Sequence, residues 1–337
     1  MIDFRYHLVS LIAVFLALAV GIVLGAGPLR DTIGETLTGQ VEDLRADRDE
    51  LRTQLAAAEA DVSERTTYLQ QSAGALLAGS LTDRSVAVVT LPETAEADVE
   101  GVRESLSRAG AQIVGEVAVT EAWTDPATRS FRQTFAGQLA GYLDPAPPAE
   151  ADTQRILGLA LGEALTGSDG DRPSDPAQTL MDLLTSDDAP LLTVTADVSG
   201  PADATVLVGP PAVPETTEEE QTDQGGQEVA DERRAAYVEL AAGLAGTGDG
   251  SVTVGSAASE RDLVTAVRGD ENASDVVTSV DSVGEVTASL STPLALAAAI
   301  SGTTDAYGFQ EGAQEPVPPR VDLPADGAGQ DEGPTDG

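Results

Sequence analysis

The sequence predicts an α/β protein with four parts: a single N-terminal transmembrane helix, a helical coiled-coil stalk, a mainly parallel α/β domain and a disordered acidic C-terminal tail. Three observations predict this order. An uncharged apolar run lies near the N-terminus, a heptad pattern follows it, and short β-branched runs then alternate with alanine-rich stretches. Such alternation of strands and helices is typical of a parallel sheet covered by helices on both faces.

The predicted boundaries follow changes in composition. The transmembrane anchor takes residues 1–28, the stalk 29–78, and the α/β domain 79–305 with a disordered insertion near 210–228. The disordered tail takes residues 306–337. Pro, Gly and acidic residues are frequent in the insertion and the tail, a composition that buries too little apolar surface to fold.

The apolar run from Leu8 to Ala26 carries no charge over 19 residues. A helix of this length spans about 28 Å, close to the roughly 30 Å hydrocarbon core of a bilayer. Because a signal peptide has an apolar core of only about 7–15 residues, we predict an uncleaved anchor. The alternative is a signal peptide cleaved after Gly25. A short flank carrying Arg5 precedes the span and most of the chain follows it, so we expect a single-pass protein of the cell membrane or envelope with its bulk outside the cytoplasm.

A stripe of small residues marks the span. Its members recur every four residues and are Ala13, Ala17, Gly21 and Gly25. This spacing puts them on one helix face, where two backbones can approach closely, and it predicts a membrane-helix interface. The alternative is that a span rich in Ala and Gly produces such a pattern by chance.

The stalk begins after Pro28, which should break or kink the helix. The predicted coiled-coil core positions are Leu37, Val41, Leu44, Leu51, Leu55, Val62 and Leu69. No Gly or Pro interrupts residues 41–73, although Arg48 and Arg65 occupy core positions and weaken the pattern. An amphipathic helix packed on the following domain is the alternative. A dimerising span followed by a heptad stalk predicts a parallel homodimer or a higher homo-oligomer.

The α/β domain opens with a strand, a helix and a second strand, an order that predicts a parallel pair with a right-handed crossover. These elements are Ser85–Leu91, Glu96–Ala109 with Gly110 as its stop, and Ile113–Val119. The further predicted helices lie near 127–142, 152–165, 176–185, 230–244, 260–267 and 284–300. The further predicted strands lie near 191–198, 205–208, 251–254 and 276–280.

The composition excludes several classes of function. The chain has 57 acidic and 18 basic residues and a net charge of −39, which is the opposite of the basic surface that nucleic-acid binding requires. A salt-adapted organism would explain this charge, whereas the use of Arg without any Lys indicates a genome-wide composition bias. The chain has no Cys and no Lys, and His7 is the single His. Disulfides, thiolate or Schiff-base chemistry and a Ser-His-Asp triad are therefore excluded within one chain, and we predict that the protein is not an enzyme.

Three loops are candidate ligand sites, and none of them matches a binding motif. No Gly-x-Gly-x-x-Gly follows the strands ending at Leu91 and Val208, so a dinucleotide site is not expected. The spacing of Asp169, Asp171 and Asp175 is loosely like that of calcium ligands, but the EF-hand Gly and terminal Glu are missing. We interpret that loop as an acidic turn, and no cofactor is evident.

Three segments resemble the actinobacterial MctB family (mycobacterial copper transport protein B). They are MIDFRYHLVSLIAVFLALAVGIVLGAGPL at the start, SVAVVTLPE at the beginning of the α/β domain, and Ala306-Tyr307-Gly308. The resemblance covers residues 1–308. It implies an envelope membrane protein of copper efflux or homeostasis, described as a copper-transport or outer-membrane channel protein, with copper as the transported ion.

Copper ligands are scarce in this chain. Cu(I) prefers Cys and Met, and Cu(II) prefers imidazole and other nitrogen ligands, whereas the chain offers His7, Met181 and Met1. The residues of a metal site therefore stay undefined at this point. The second hypothesis is a single-span dimeric scaffold or interaction protein that has envelope proteins as partners and no transport activity of its own.

Overall fold

The computed structural model describes residues 4–26, 28–148, 151–186, 190–212 and 224–324, without the side chains of residues 24–38 and 224. The chain divides into two compact units, residues 1–67 and residues 68–337. We call the second unit the body.

The first unit holds helix α1, Phe4–Ala26, and most of helix α2, Pro28–Leu77. Within the described ranges, α1 alone is long and apolar enough to cross a membrane. Its apolar part is Phe4–Val23, and none of this stretch is buried. Gly27 lies outside the described residues, so the break or kink predicted at residues 27–28 stays a prediction.

Helix α2 continues without interruption for 50 residues, as the absence of Gly and Pro over residues 41–73 predicts. Pairs of opposite charge one turn apart support it, such as Arg65 and Asp61 at 3.0 Å, although exposed pairs of this kind contribute only a few tenths of a kcal/mol, about 0.3–0.5. Its last turns belong to the body, because Ala73 and Leu77 are fully buried there.

A seven-stranded sheet forms the centre of the body. Its strands are β1 Ser85–Thr90, β2 Gln112–Val119, β5 Leu192–Ala196, β6 Ala204–Val208, β7 Gly250–Val254, β8 Thr278–Val280 and β9 Ala306–Tyr307. The order across the sheet is β5-β2-β1-β6-β7-β8-β9. All neighbours run parallel except β5, which lies antiparallel to β2 at one edge. The predicted mainly parallel sheet is confirmed.

Helices cover both faces of this sheet, as predicted. They are α3 Glu96–Ala109, α4 Arg129–Leu139, α5 Thr153–Thr166, α6 Asp175–Leu184, α7 Gln224–Ala245, α8 Leu263–Gly269, α9 Glu271–Ser274 and α10 Val286–Ile300. The end of α2, together with α3 and α10, packs on one face. Helices α4 to α9 pack on the other. A separate hairpin, β3 Ser168–Asp169 with β4 Arg172–Pro173, lies in the predicted acidic turn.

Local sequence explains several of these boundaries. Helix α3 ends at Gly110, whose left-handed φ of 95° is tolerated best by glycine. Helix α5 begins after Asp152, whose carboxylate accepts the Arg155 N–H, and α6 begins after Ser174 in the same way. Helices α5 and α7 approach closely at Gly243, which has no side chain. A Cβ at this position would lie only 2.6 Å from the backbone of Gly158 in α5.

Two predictions of disorder require correction. Residues 224–228, predicted as part of the insertion, form the first turn of α7, and residues 213–223 lie outside the described residues. Residues 306–324, predicted as disordered tail, form β9 and a segment that packs on the body, while residues 325–337 lie outside the described residues. Composition averages over a segment, so it does not detect a few apolar side chains placed on the core.

Candidate functional site

The members of the small-residue stripe whose side chains are described lie exposed on one face of α1. Ala13 and Ala17 are exposed on α1, and a Cβ added to Gly21 would meet no atom within 4 Å. Gly25 also lies in α1, but its surroundings are outside the described side chains. A face of this kind can receive a second helix, and the interface stays a prediction.

The apolar heptad positions of α2 fall into two groups. The exposed group is 43% to 67% accessible and comprises Val41, Leu44, Leu51, Leu55 and Val62. Leu69 instead packs on the core of the body, so it acts in the body rather than in a stalk seam. Leu37 is outside the described side chains. A partner helix would cover the exposed group, and the coiled coil therefore stays a prediction.

The candidate copper ligands lie on different elements. His7 is exposed on α1, Met181 is half-buried against the core in α6, and Met1 lies outside the described residues. The three acids of the predicted acidic turn are divided between hairpin and helix; they are Asp169, Asp171 and Asp175. Among the described residues, no three His, Cys, Asp or Glu side chains are grouped closely enough to hold a metal ion.

A buried ion pair lies at the carboxyl end of β8, where the sequence analysis singled out no residue. Asp281 follows β8, and Arg268 lies in the last turn of α8. A guanidinium nitrogen lies 3.0 Å from the Asp281 Oδ2, and the two side chains are 7% and 0% exposed. A buried pair is stable only when its remaining hydrogen-bonding capacity is also satisfied.

The carboxylate of Asp281 has that capacity filled. It accepts hydrogen bonds from the Ser282 hydroxyl at 2.7 Å and from the backbone N–H groups of Phe309 at 2.9 Å and Gln310 at 3.0 Å. With the Arg268 guanidinium at 3.0 Å, four donors converge on one carboxylate. Two of the four, the Phe309 and Gln310 N–H groups, come from the C-terminal segment, by which we mean residues 306–324.

Arg268 connects the same segment to the sheet from the other side. It donates to the Ser279 hydroxyl of β8 at 3.2 Å. It also donates to the backbone carbonyls of Tyr307 at 2.9 Å and Glu311 at 2.8 Å. The ion pair therefore ties the C-terminal segment to α8 and β8.

Electrostatics keep this pair ionised. Burial raises the pKa of Asp281, but the hydrogen bonds from Ser282, Phe309, Gln310 and Arg268 outweigh burial and hold the pKa below its ordinary value. Burial lowers the pKa of the Arg268 guanidinium, and the hydrogen bond and charge of Asp281 partly offset that effect. At neutral pH the Asp281 carboxylate is therefore an acceptor only.

Gln310 fills a second polar position beside the pair. Its carboxamide oxygen accepts the backbone N–H of Ala257 at 2.6 Å and that of Ser282 at 3.4 Å. These N–H groups belong to the loops after β7 and β8, and Ser282 has a left-handed φ of 61°. Two loops of the sheet edge thus converge on one oxygen of the C-terminal segment.

Gly308 allows the segment to approach this closely. Its φ is 134°, a conformation that L side chains rarely adopt, and a Cβ at this position would overlap the Asp281 carboxylate. The preceding Tyr307, the last residue of β9, is buried in the core. The Ala306-Tyr307-Gly308 string therefore has a structural reason, and it was the sequence signal that could have located this cluster.

Comparisons with known proteins give one family. The family model described as "Copper transport outer membrane protein, MctB" matches residues 1–318. Proteins named Copper transporter MctB from Mycobacterium tuberculosis and Mycobacterium bovis are 28% identical over 323 residues, which cover 93% of this chain and 98% of theirs. One from Mycobacterium leprae is 33% identical over 125 residues, covering 37% of this chain and 39% of its own.

Substitution of Gly308 by Ala should destabilise the body. The strained backbone and the lost Asp281 contacts predict a decrease in the free energy of unfolding of at least about 2 kcal/mol, measured by urea denaturation. Gly137→Ala is the control, because that helical glycine faces open space. Equal stability of the two variants would contradict the predicted role of Gly308.

The stability of the body should fall with pH partly through Asp281. Because its folded-state pKa lies below the unfolded value, its contribution is present above a pH of about 4 and is lost as the pH falls through the folded pKa. We choose pH 7 and pH 3 as the two conditions for comparison. The difference in the free energy of unfolding between them should be smaller in Asp281→Asn than in the parent chain. Ser282→Ala should also reduce this difference, but by less than Asp281→Asn does.

Asp171→Asn, on an exposed turn, serves as the reference for removing one carboxylate. If it reduced the pH dependence as much as Asp281→Asn does, the assignment to Asp281 would be wrong.

Proposed function

Because the chain belongs to the MctB family, we propose that it is an envelope membrane protein that acts in copper efflux or homeostasis. The observation that carries this proposal is the family match over residues 1–318, together with relatives named copper transporters that align with 93% of the chain. Copper is the transported ion in this proposal, not a resident cofactor, and no enzymatic step is part of it.

The anchor supports a single-pass arrangement. Helix α1 contains an apolar stretch of 20 residues that is not buried by other parts of the chain, and its length suits the hydrocarbon core of a bilayer. The body follows this helix, whose apolar stretch is longer than the apolar core of a signal peptide. We therefore propose that the body lies outside the cytoplasm and that α1 is retained as an anchor.

Copper handling by this chain requires ligands beyond a single tight site. Soft thioether and imidazole ligands are the usual choice for copper, and the described candidates, His7 and Met181, lie on separate elements. We propose that copper is contacted by several chains or partners, or weakly by carboxylates of the acidic body. Both routes are compatible with a homo-oligomer.

A scaffold role is the second candidate function. The five exposed apolar positions of α2, from Val41 to Val62, are those that a parallel partner helix would cover. In this version a homodimer holds two bodies for envelope partners, and the chain has no transport activity of its own. Copper phenotypes would then be indirect or absent.

Deletion of the gene in its own host should raise cell-associated copper and lower copper tolerance. Loss of an efflux component leaves copper inside the envelope, so the increase should be reversed by the full chain supplied in trans. Copper and zinc contents measured side by side by mass spectrometry test this expectation, with zinc as the control.

Normal copper content and tolerance after deletion would contradict the copper proposal and leave the scaffold role. An equal increase of zinc and copper would also contradict it, since a general envelope defect would produce both.

A cysteine introduced at Gly21 should crosslink two chains through the stripe of small residues. The chain has no Cys, so a single introduced thiol is the only site for a short bismaleimide. Val23→Cys is the control, since two residues along a helix rotate the side chain by about 200° to the opposite face. Dimers on denaturing gels should form with Gly21→Cys and not with Val23→Cys; equal crosslinking at both positions, or none, would contradict the interface.

A further inference from the structure

The C-terminal segment joins two distant parts of the body. It leaves the sheet after β9 and reaches the end of α2, and we call residues 308–324 the strap. At its start, Asp281 and Gln310 hold it to the carboxyl edge of the sheet. Between its ends, the described residues have irregular backbone without helix. The Gln314 and Glu315 N–H groups donate to the Ala306 carbonyl at 2.8 and 3.2 Å and hold the middle of the strap to β9.

The far end of the strap caps α2. Arg320 donates one hydrogen bond to the Leu76 carbonyl at 3.0 Å and another to the Ala78 carbonyl at 2.6 Å. Carbonyls at the end of a helix have no partner within it and carry partial negative charge, which a guanidinium neutralises. The last turn of α2 contains no basic residue of its own. The strap therefore supplies the cation that this helix end lacks.

Further contacts fix the same end. The buried Arg84 side chain donates to the Pro324 carbonyl at 3.0 Å. Val321 and Leu323 pack on the apolar cluster that also contains Leu77 of α2. The strap and the end of α2 thus share one hydrophobic cluster as well as hydrogen bonds.

The near end of the strap occupies a position where α/β folds bind ligands. In open parallel sheets, ligands bind outside the carboxyl ends of the strands. Here the Gln310 carboxamide oxygen takes the N–H groups of Ala257 and Ser282, and the strap backbone covers Asp281. In this protein, therefore, the strap itself occupies the carboxyl edge of the sheet.

We propose that the strap couples the end of α2 to the carboxyl edge of the sheet, so that loosening one end loosens the other. Helix α2 continues from the body into the first unit. Displacement of its last turn would remove the carbonyls that accept hydrogen bonds from Arg320 and would release the strap. The Ala257 and Ser282 N–H groups, which now donate to the Gln310 carboxamide oxygen, would then be uncovered. This coupling goes beyond the proposed function and does not depend on copper.

Hydrogen exchange of the full chain in detergent micelles tests the coupling. Arg320→Gln removes the cap at one end of the strap, and Gln310→Ala removes the contact at the other. Arg320→Gln should accelerate exchange roughly tenfold or more at the distant amides of Phe309 and Gln310, since these would open with the strap as one unit. Gln310→Ala should do the same at the amides of residues 76–78 and 320–323.

The control is Arg172→Gln, which removes the same charge from an exposed hairpin and should leave all these amides unchanged. Arg320→Lys, which keeps the charge, should restore part of the protection. Slow exchange in β1 must persist in every variant, which separates strap release from unfolding. Acceleration confined to the mutated end in both variants, or an equal effect of Arg172→Gln, would overturn the proposal.

Discussion

The buried ion pair of Asp281 and Arg268 is the interaction on which the completion of the body depends. Two charges removed from water are tolerated only with full hydrogen bonding, and the C-terminal segment supplies donors to one partner and acceptors to the other. The pair needs the segment as much as the segment needs the pair. For this reason β9, only two residues long, is a fixed part of the sheet rather than a loose end.

Much of the fold could be predicted because its elements are local patterns. The β-branched run of β1 and the stretch of α3 ending at Gly110 are written in consecutive residues, and both helix bounds of α3 agree with the structure. The antiparallel direction of β5 was not predictable, since pairing direction depends on residues far away in the chain. The cluster around Asp281 was also missed, because its donors come from Arg268, Ser282 and a Gly- and Pro-containing segment whose composition indicates disorder. Burial by a distant part of the chain is invisible to composition.

The proposed anchor and the proposed cargo impose different requirements on this protein. The family is described as a copper transport outer membrane protein, and the described residues include one helix long and apolar enough to cross a membrane, which carries the small-residue stripe and is followed by a long helix with exposed leucines. In our proposal identical chains associate through those features, and association would give a chain poor in soft ligands more of them per assembly. The proposed oligomer and the proposed copper function are therefore linked by ligand supply.

The cap on α2 has a consequence for how the protein is made. Arg320 lies 244 residues after the Leu76 carbonyl that it contacts, and β1, in the interior of the sheet, precedes its neighbour β6 by more than a hundred residues. A chain synthesised from its N-terminus exposes unpaired strand edges until the strap emerges. Such long-range closure is slow and favours aggregation, so the nascent body needs protection, and a chain interrupted before the strap lacks the contacts that finish it.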